Sequence, residues 1–178
     1  MESRMNKILP TLRWQWVIAI VLLLAFSRLI PHPPNFTPLV AMAIFAGAST
    51  KDFKLALIIP IIALLISDFI IGFHSTMIFV YAAFVITIAA SHAWLKQFKI
   101  FTMVFAGISA SLLFFIVTNF GAWLTHEMYP QTIDGLLQAY IAGIPFFKNT
   151  LSSTLLFLGL SYFASIQITR RHISASSN

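Results

Sequence analysis

Long apolar segments separated by short polar connections constrain this fold more than any other feature of the sequence. Of the 178 residues, 59% are hydrophobic and 9% are charged, and the mean hydropathy is +0.90. Soluble domains carry about 25% charged residues, whereas an apolar segment of about 20 residues is long enough to cross a bilayer as a helix. We therefore predict an all-α, polytopic membrane helix bundle that forms a single integral membrane domain over residues 1–178.

The apolar segments predict about six transmembrane helices. A signal peptide is the alternative interpretation of the first segment, but Trp14 and Trp16 favour a helix anchored at the membrane interface. The second segment is short for a span and predicts a tilted or buried helix, in which Ala43 and Gly47 permit close packing. Pro60 is expected to kink the third helix. The predicted spans are residues 14–30, 37–49, 55–72, 77–94, 100–124 and 151–169.

Residues 132–144 differ from the other segments because they are short and partly polar. Their apolar side chains recur at helical spacing, with Asp134 and Gln138 on the opposite face. Gly143 and Pro145 supply a stop signal. We predict a short outer interfacial helix here, separate from the last span.

The basic residues predict the orientation of the chain. With six spans and a cytoplasmic amino terminus, only Arg28 and Lys148 of the eleven basic residues lie on the outer side of the membrane. The positive-inside rule therefore favours two cytoplasmic termini, and it explains the net charge of +6 without a nucleic-acid partner. The inner basic residues are Arg4, Lys7, Arg13, Lys51, Lys54, Lys96, Lys99, Arg170 and Arg171.

The other polar residues concentrate at the predicted outer ends of the spans. The segment RLIPHPPNFTP, from Arg28 to Pro38, holds four prolines and must be non-helical. Polar groups on irregular backbone beside a span are unfavourable unless they line a cavity or face water. We expect this segment to form a wall of a small-molecule site. Because a buried charge needs a partner, we also predict that Arg28 approaches Asp68.

These polar residues supply a set of candidate ligand-binding residues. Simpler interpretations remain open: Arg28 and Asp68 as a purely structural ion pair, Asn35 as a turn cap, and Asn119 as a bridge between helices. The 18 phenylalanines are dispersed, and we interpret them as lipid and packing contacts. The candidates are Arg28, His32, Asn35, Asp68, His74, Asn119, Trp123, Lys148 and Asn149.

The sequence gives no catalytic motif, so we predict that the protein is not an enzyme and uses no cofactor or metal. It lacks cysteine, a P-loop and a GxSxG sequence. Two weaker alternatives use His74 and His126: an intramembrane acid–base site that also includes Asp68, and a metal site shared with His32 and either Asp68 or Glu127.

The motifs RLIPHPPNFTP, SDFIIGFH, FFIVTNFGAWL and IPFFKNT resemble those of a bacterial family of uncharacterised, six-span integral membrane proteins. More distantly, six short helices with a polar outer rim resemble the S components of energy-coupling-factor vitamin transporters. S components carry an AxxxA motif on their first helix, whereas Ala19 and Ala25 are six residues apart here.

The distant resemblance implies a bacterial inner-membrane protein that captures a small molecule, such as a vitamin or cofactor precursor, from the extracytoplasmic side. Its implied partners are the lipid bilayer, the small-molecule ligand, and a separate energising ATPase with coupling subunits. The alternative function is a structural or assembly subunit without a substrate of its own.

Overall fold

A computed structural model describes residues 14–95 and 99–175, with side chains described as far as Ile168. This part of the chain contains helices and no strand, in agreement with the predicted all-α class. The six helices are α1 (Trp14–Ser27), α2 (Leu39–Ser49), α3 (Phe53–Ile71), α4 (Met77–Trp94), α5 (Ile100–Thr125) and α6 (Ile133–Ala175).

Four of the helices are long and apolar enough to cross a membrane: α3, α4, α5 and the Ile133–Ile168 part of α6. The described part of α1 has 14 residues and α2 has 11. At 1.5 Å per residue α2 is about 16 Å long, which is roughly half the thickness of a hydrocarbon core. The structure thus contains four helices of spanning length and two shorter apolar ones.

The short helix α2 is the centre of the bundle and contacts all five other helices. It is apolar around its whole circumference, and ten of its eleven residues are buried. A helix of this composition is stable only when other protein segments enclose it. The predicted buried helix is therefore confirmed. Because α2 is central, its first residues lie in the middle of the bundle at one end.

The helix ends follow from local sequence signals. Asp52 begins α3 by accepting hydrogen bonds from the backbone nitrogens of Lys54 and Leu55, at 2.8 and 3.4 Å. Gly72 ends the same helix with φ of 108°, a conformation that side chains disfavour. The proline-rich segment from Arg28 to Pro38 is non-helical, as predicted.

The predicted separation of an interfacial helix from the last span is wrong. Helix α6 runs without interruption from Ile133 to Ala175 and contains both Gly143 and Pro145. A proline removes one backbone donor, but ending a helix among apolar neighbours would leave several backbone groups without partners. Continuing the helix through Pro145 is therefore the more favourable solution.

Successive helices run in opposite directions. Arg28, after the end of α1, contacts Asp68 near the end of α3. Trp14 at the start of α1 lines the same cavity as Lys51, between α2 and α3. We call these two ends of the bundle the Arg28 end and the Lys51 end.

The predicted orientation of the chain used eleven basic residues. Six of them lie outside the described side chains: Arg4, Lys7, Arg13, Lys96, Arg170 and Arg171.

Candidate ligand-binding cavity

A cavity of about 410 Å³ opens at the Arg28 end of the bundle. This volume lies within the range of small-molecule sites. The proline-rich segment, the starts of α2 and α4, the second half of α5 and residues 143–150 of α6 enclose it. The polar part of its lining is Arg28, Asn35, Thr37, His74, Thr76, Thr118, Asn119, His126, Tyr129 and Thr150.

An ion pair lies in the wall of the cavity, as predicted. The Nη2 atom of Arg28 is 2.8 Å from Oδ1 of Asp68, and the two side chains are 11% and 3% exposed. The hydroxyl of Tyr81 donates to the other carboxylate oxygen at 2.9 Å. Arg28 also donates from Nη1 to the Ser67 hydroxyl at 2.6 Å. One carboxylate of α3 therefore joins the segment that follows α1 to Tyr81 of α4.

The proline-rich segment is attached to α6 and borders the cavity. The Asn149 amide donates to the backbone oxygen of Pro34 at 2.9 Å, and the rings of Phe36 and Phe157 lie 6.4 Å apart. Asn35 lines the cavity with φ of 60°, a left-handed conformation that asparagine tolerates better than most residues. These contacts hold an irregular segment in one position.

The connection between α3 and α4 forms another part of the cavity rim. Its His74 is hydrogen-bonded through Nδ1 to the Thr76 hydroxyl at 2.9 Å. The Ser75 hydroxyl is 3.3 Å from Nε2 of His126, at the end of α5. Both histidines line the cavity, so this connection joins two sides of its opening.

Helices α5 and α6 form the opposite wall. The side chains of Thr118, Asn119 and Thr150 each donate to the backbone oxygen four residues earlier in the same helix, at 2.7, 2.8 and 3.0 Å. Gly143 of α6 packs directly against the Asn119 amide, and a side chain at that position would overlap it. The close approach of the two helices therefore depends on this glycine.

The structure brings together some of the nine predicted site residues and separates others. Four line the cavity: Arg28, Asn35, His74 and Asn119. Asp68 lies buried beside Arg28, and Asn149 holds the proline-rich segment. The other three are not part of the lining. Trp123 donates a hydrogen bond to the Pro130 backbone oxygen. His32 is exposed and hydrogen-bonds to the Pro33 backbone oxygen, and Lys148 is exposed.

Aromatic residues in the cavity are the main feature that the sequence reasoning missed. Phe114, Phe115, Phe146 and Phe147 all line it, a position that the interpretation of the phenylalanines as lipid and packing contacts did not include. The α6 pair follows Gly143 at helical spacing and therefore shares its face. That pattern was readable in the sequence, but the predicted helix end at Gly143 and Pro145 obscured it.

The predicted alternative of a metal site finds no geometric support. Among the side chains that the structure describes, in residues 14–95 and 99–168, no three of histidine, aspartate or glutamate form a group that could hold a metal ion. His74 and His126 instead hydrogen-bond to hydroxyl and backbone groups.

Comparison with known families supplies one match. The model of a family of unknown function, DUF6580, matches residues 9–176. The chain belongs to this family. The match includes all six helices and agrees with the predicted membership in an uncharacterised family. No curated protein and no solved structure matches this member of DUF6580.

Proposed function

We propose that this DUF6580 protein is a membrane transport subunit that binds a small molecule from the extracytoplasmic side of a bacterial inner membrane. The observation that carries the proposal is the 410 Å³ cavity, which is open at one end of the bundle and has a buried ion pair in its wall. In this account the protein crosses the membrane six times and resembles an S component, with separate coupling and ATPase subunits as partners.

The distribution of charge supports this orientation of the cavity. Among the basic side chains that the structure describes, Lys51, Lys54 and Lys99 belong to the Lys51 end, whereas Arg28 and Lys148 belong to the Arg28 end. Cytoplasmic ends of membrane proteins carry the excess of lysine and arginine. The cavity then faces away from the cytoplasm.

The short central helix is compatible with a membrane location in this account. Lipid-exposed irregular backbone is strongly disfavoured inside a bilayer, but it is tolerated where protein or a cavity surrounds it. Five helices enclose α2, and Asn35 and Thr37 before it line the cavity. Its ends can therefore lie within the thickness of the membrane.

Filling the cavity is expected to abolish ligand binding without unfolding the protein. Ala122 lines the cavity, so Ala122→Phe places a ring in the space that the ligand needs. A small-molecule extract of the host, freed of macromolecules by ultrafiltration, should raise the melting temperature of the wild-type protein in detergent. The same extract should not change that of the variant.

The matched control is Ala142→Phe, which adds the same ring at an exposed position of α6 outside the cavity lining. This variant should respond to the extract as the wild type does. An extract that stabilises none of the three proteins, or all three equally, would contradict the proposed binding function.

A further inference from the structure

We propose that the cavity selects flat aromatic molecules that are anionic or neutral, and that it excludes organic cations. The preferred ligand carries a carboxylate or carbonyl acceptor at one end and an N–H or O–H donor elsewhere on the ring system. This assignment rests on the proposed binding function and adds the chemical class of the ligand.

The charge of the lining supports the exclusion of cations. Arg28 is its one permanently charged residue among the described parts of the chain, and neither aspartate nor glutamate is part of it. His74 and His126 are neutral or positive in either protonation state. A cationic ligand would find no anionic partner in the lining, and like charges brought together at a binding site are strongly unfavourable.

The nearby carboxylate is not available to a cation either. The Asp68 side chain is 3% exposed, and each of its oxygens already accepts a hydrogen bond, one from Arg28 and one from Tyr81. It neutralises the guanidinium without being presented to the cavity. An ammonium ligand would have to break this ion pair to reach it.

Arg28 retains donors that an acceptor group of a ligand would satisfy. A guanidinium has five N–H groups, and its contacts with Asp68 and Ser67 engage only Nη1 and Nη2. Each of these two nitrogens therefore keeps a second N–H, and Arg28 lines the cavity with 11% of its side chain exposed. Hydrogen bonds from a charged donor are stronger than neutral ones, so the Arg28 side of the cavity favours a carboxylate or carbonyl oxygen.

The α5–α6 wall has the opposite preference and favours a ligand with donors. The hydroxyl protons of Thr118 and Thr150 are already donated to backbone oxygens, so these side chains can offer only oxygen lone pairs to the cavity. The Asn119 amide uses one of its two N–H groups within α5 and keeps its oxygen as an acceptor beside the other N–H. An N–H or O–H group on the ligand would complement these oxygens.

The shape preference comes from the aromatic residues of the α5–α6 wall. Phe115 and Phe147 approach each other across the α5–α6 interface, with ring centroids 5.2 Å apart and planes inclined by 54°. Phe114 and Phe146 complete this apolar part of the lining. Offset and edge-to-face contacts between aromatic rings add to the burial of apolar area, so a planar ring fits here better than a flexible chain.

A panel of matched compounds tests the assignment. Benzene, naphthalene and indole rings are each used as the carboxylate, the carboxamide and the aminomethyl (ammonium) derivative. Stabilisation of the purified protein against thermal unfolding gives an apparent Kd for each compound. We expect carboxylates and carboxamides to bind, indole best because it carries an N–H donor, and the ammonium forms to bind about tenfold or more weakly.

Two variants of the same helix locate the binding. Phe115→Leu should weaken binding of the carboxylates and carboxamides several-fold. Phe105→Leu should not, because Phe105 is 73% exposed and lines a separate apolar groove at the Lys51 end. A triple variant, Arg28→Leu with Asp68→Leu and Tyr81→Phe, should weaken the binding of carboxylates about tenfold or more and that of carboxamides less, because both accept hydrogen bonds from Arg28 but only the carboxylate is charged.

Three results would overturn the assignment: ammonium compounds that bind as tightly as the carboxylates, binding that depends on Phe105 instead of Phe115, or no binding by any member of the panel. Each would leave the proposed function intact as long as the host extract stabilises the wild type and not Ala122→Phe. Failure of the extract experiment would instead remove the function itself.

Discussion

Arg28→Ala is expected to lower the free energy of unfolding by about 3 to 5 kcal/mol, because it leaves a charged carboxylate buried without its partner. Asp68, at 3% exposure, would keep only the hydrogen bond from Tyr81. Asp68→Ala should have a similar effect through the unpaired guanidinium. Titration with sodium dodecyl sulfate in mixed micelles, followed by tryptophan fluorescence, measures the change.

Removing the whole polar group provides the control for this prediction. When a buried ion pair is replaced by apolar residues of similar size, stability is often unchanged or increased by about 1 to 4 kcal/mol. The variant with Arg28→Leu, Asp68→Leu and Tyr81→Phe should therefore be at least as stable as the wild type, since Ser67 keeps its own bond to the Leu64 backbone oxygen. A triple variant as unstable as Arg28→Ala would contradict the explanation by unpaired charge.

Gly47→Leu is expected to destabilise the bundle by about 1 to 3 kcal/mol or more, because it forces apart two helices in contact. A Cβ atom at Gly47 of α2 would lie 2.5 Å from the backbone oxygen of Ile88 and 2.9 Å from Cβ of Ser91 in α4. Both neighbours belong to a helix, so they cannot move aside as a flexible side chain would. Displacing α2 would also disturb its other end, next to the cavity.

The same substitution at Gly159 separates crowding from helix propensity. No atom lies within 4 Å of a Cβ built at that position, so Gly159→Leu should be neutral or stabilise α6 by up to about 1 kcal/mol. Melting temperatures of the two variants in the same detergent make the comparison. Equal destabilisation by both would show that packing at Gly47 is not the cause.

The sequence was sufficient to predict helices α1 to α5 closely, because each of these apolar segments has a length and boundaries that local rules define. The prediction for α4 agrees at both ends, Met77 and Trp94. The Arg28–Asp68 contact was also predictable, because a charge buried in an apolar bundle is unfavourable unless an opposite charge lies beside it, and these two residues lie at similar depth. Gly47 was expected to pack closely, although only the structure identifies α4 as its neighbour.

The cavity could be predicted only in part, because it depends on how the helices are arranged around α2. Local rules treat Gly143 and Pro145 as a helix end, whereas among apolar neighbours an unbroken backbone is more favourable. Because a helix end was predicted at Gly143 and Pro145, the residues Phe146, Phe147 and Thr150 were not assigned to the cavity-lining face of α6. Tyr81 gave no signal of its own, because its partner Asp68 is on another helix.

Native mass spectrometry of the protein, purified from its own host in mild detergent, distinguishes a ligand-binding subunit from a structural one. We expect a reproducible additional mass from one small molecule of anionic or neutral aromatic character, present on the wild type and absent from Ala122→Phe. Wild-type protein that carries no small molecule and is instead bound to another protein subunit would contradict it, and would favour a structural role.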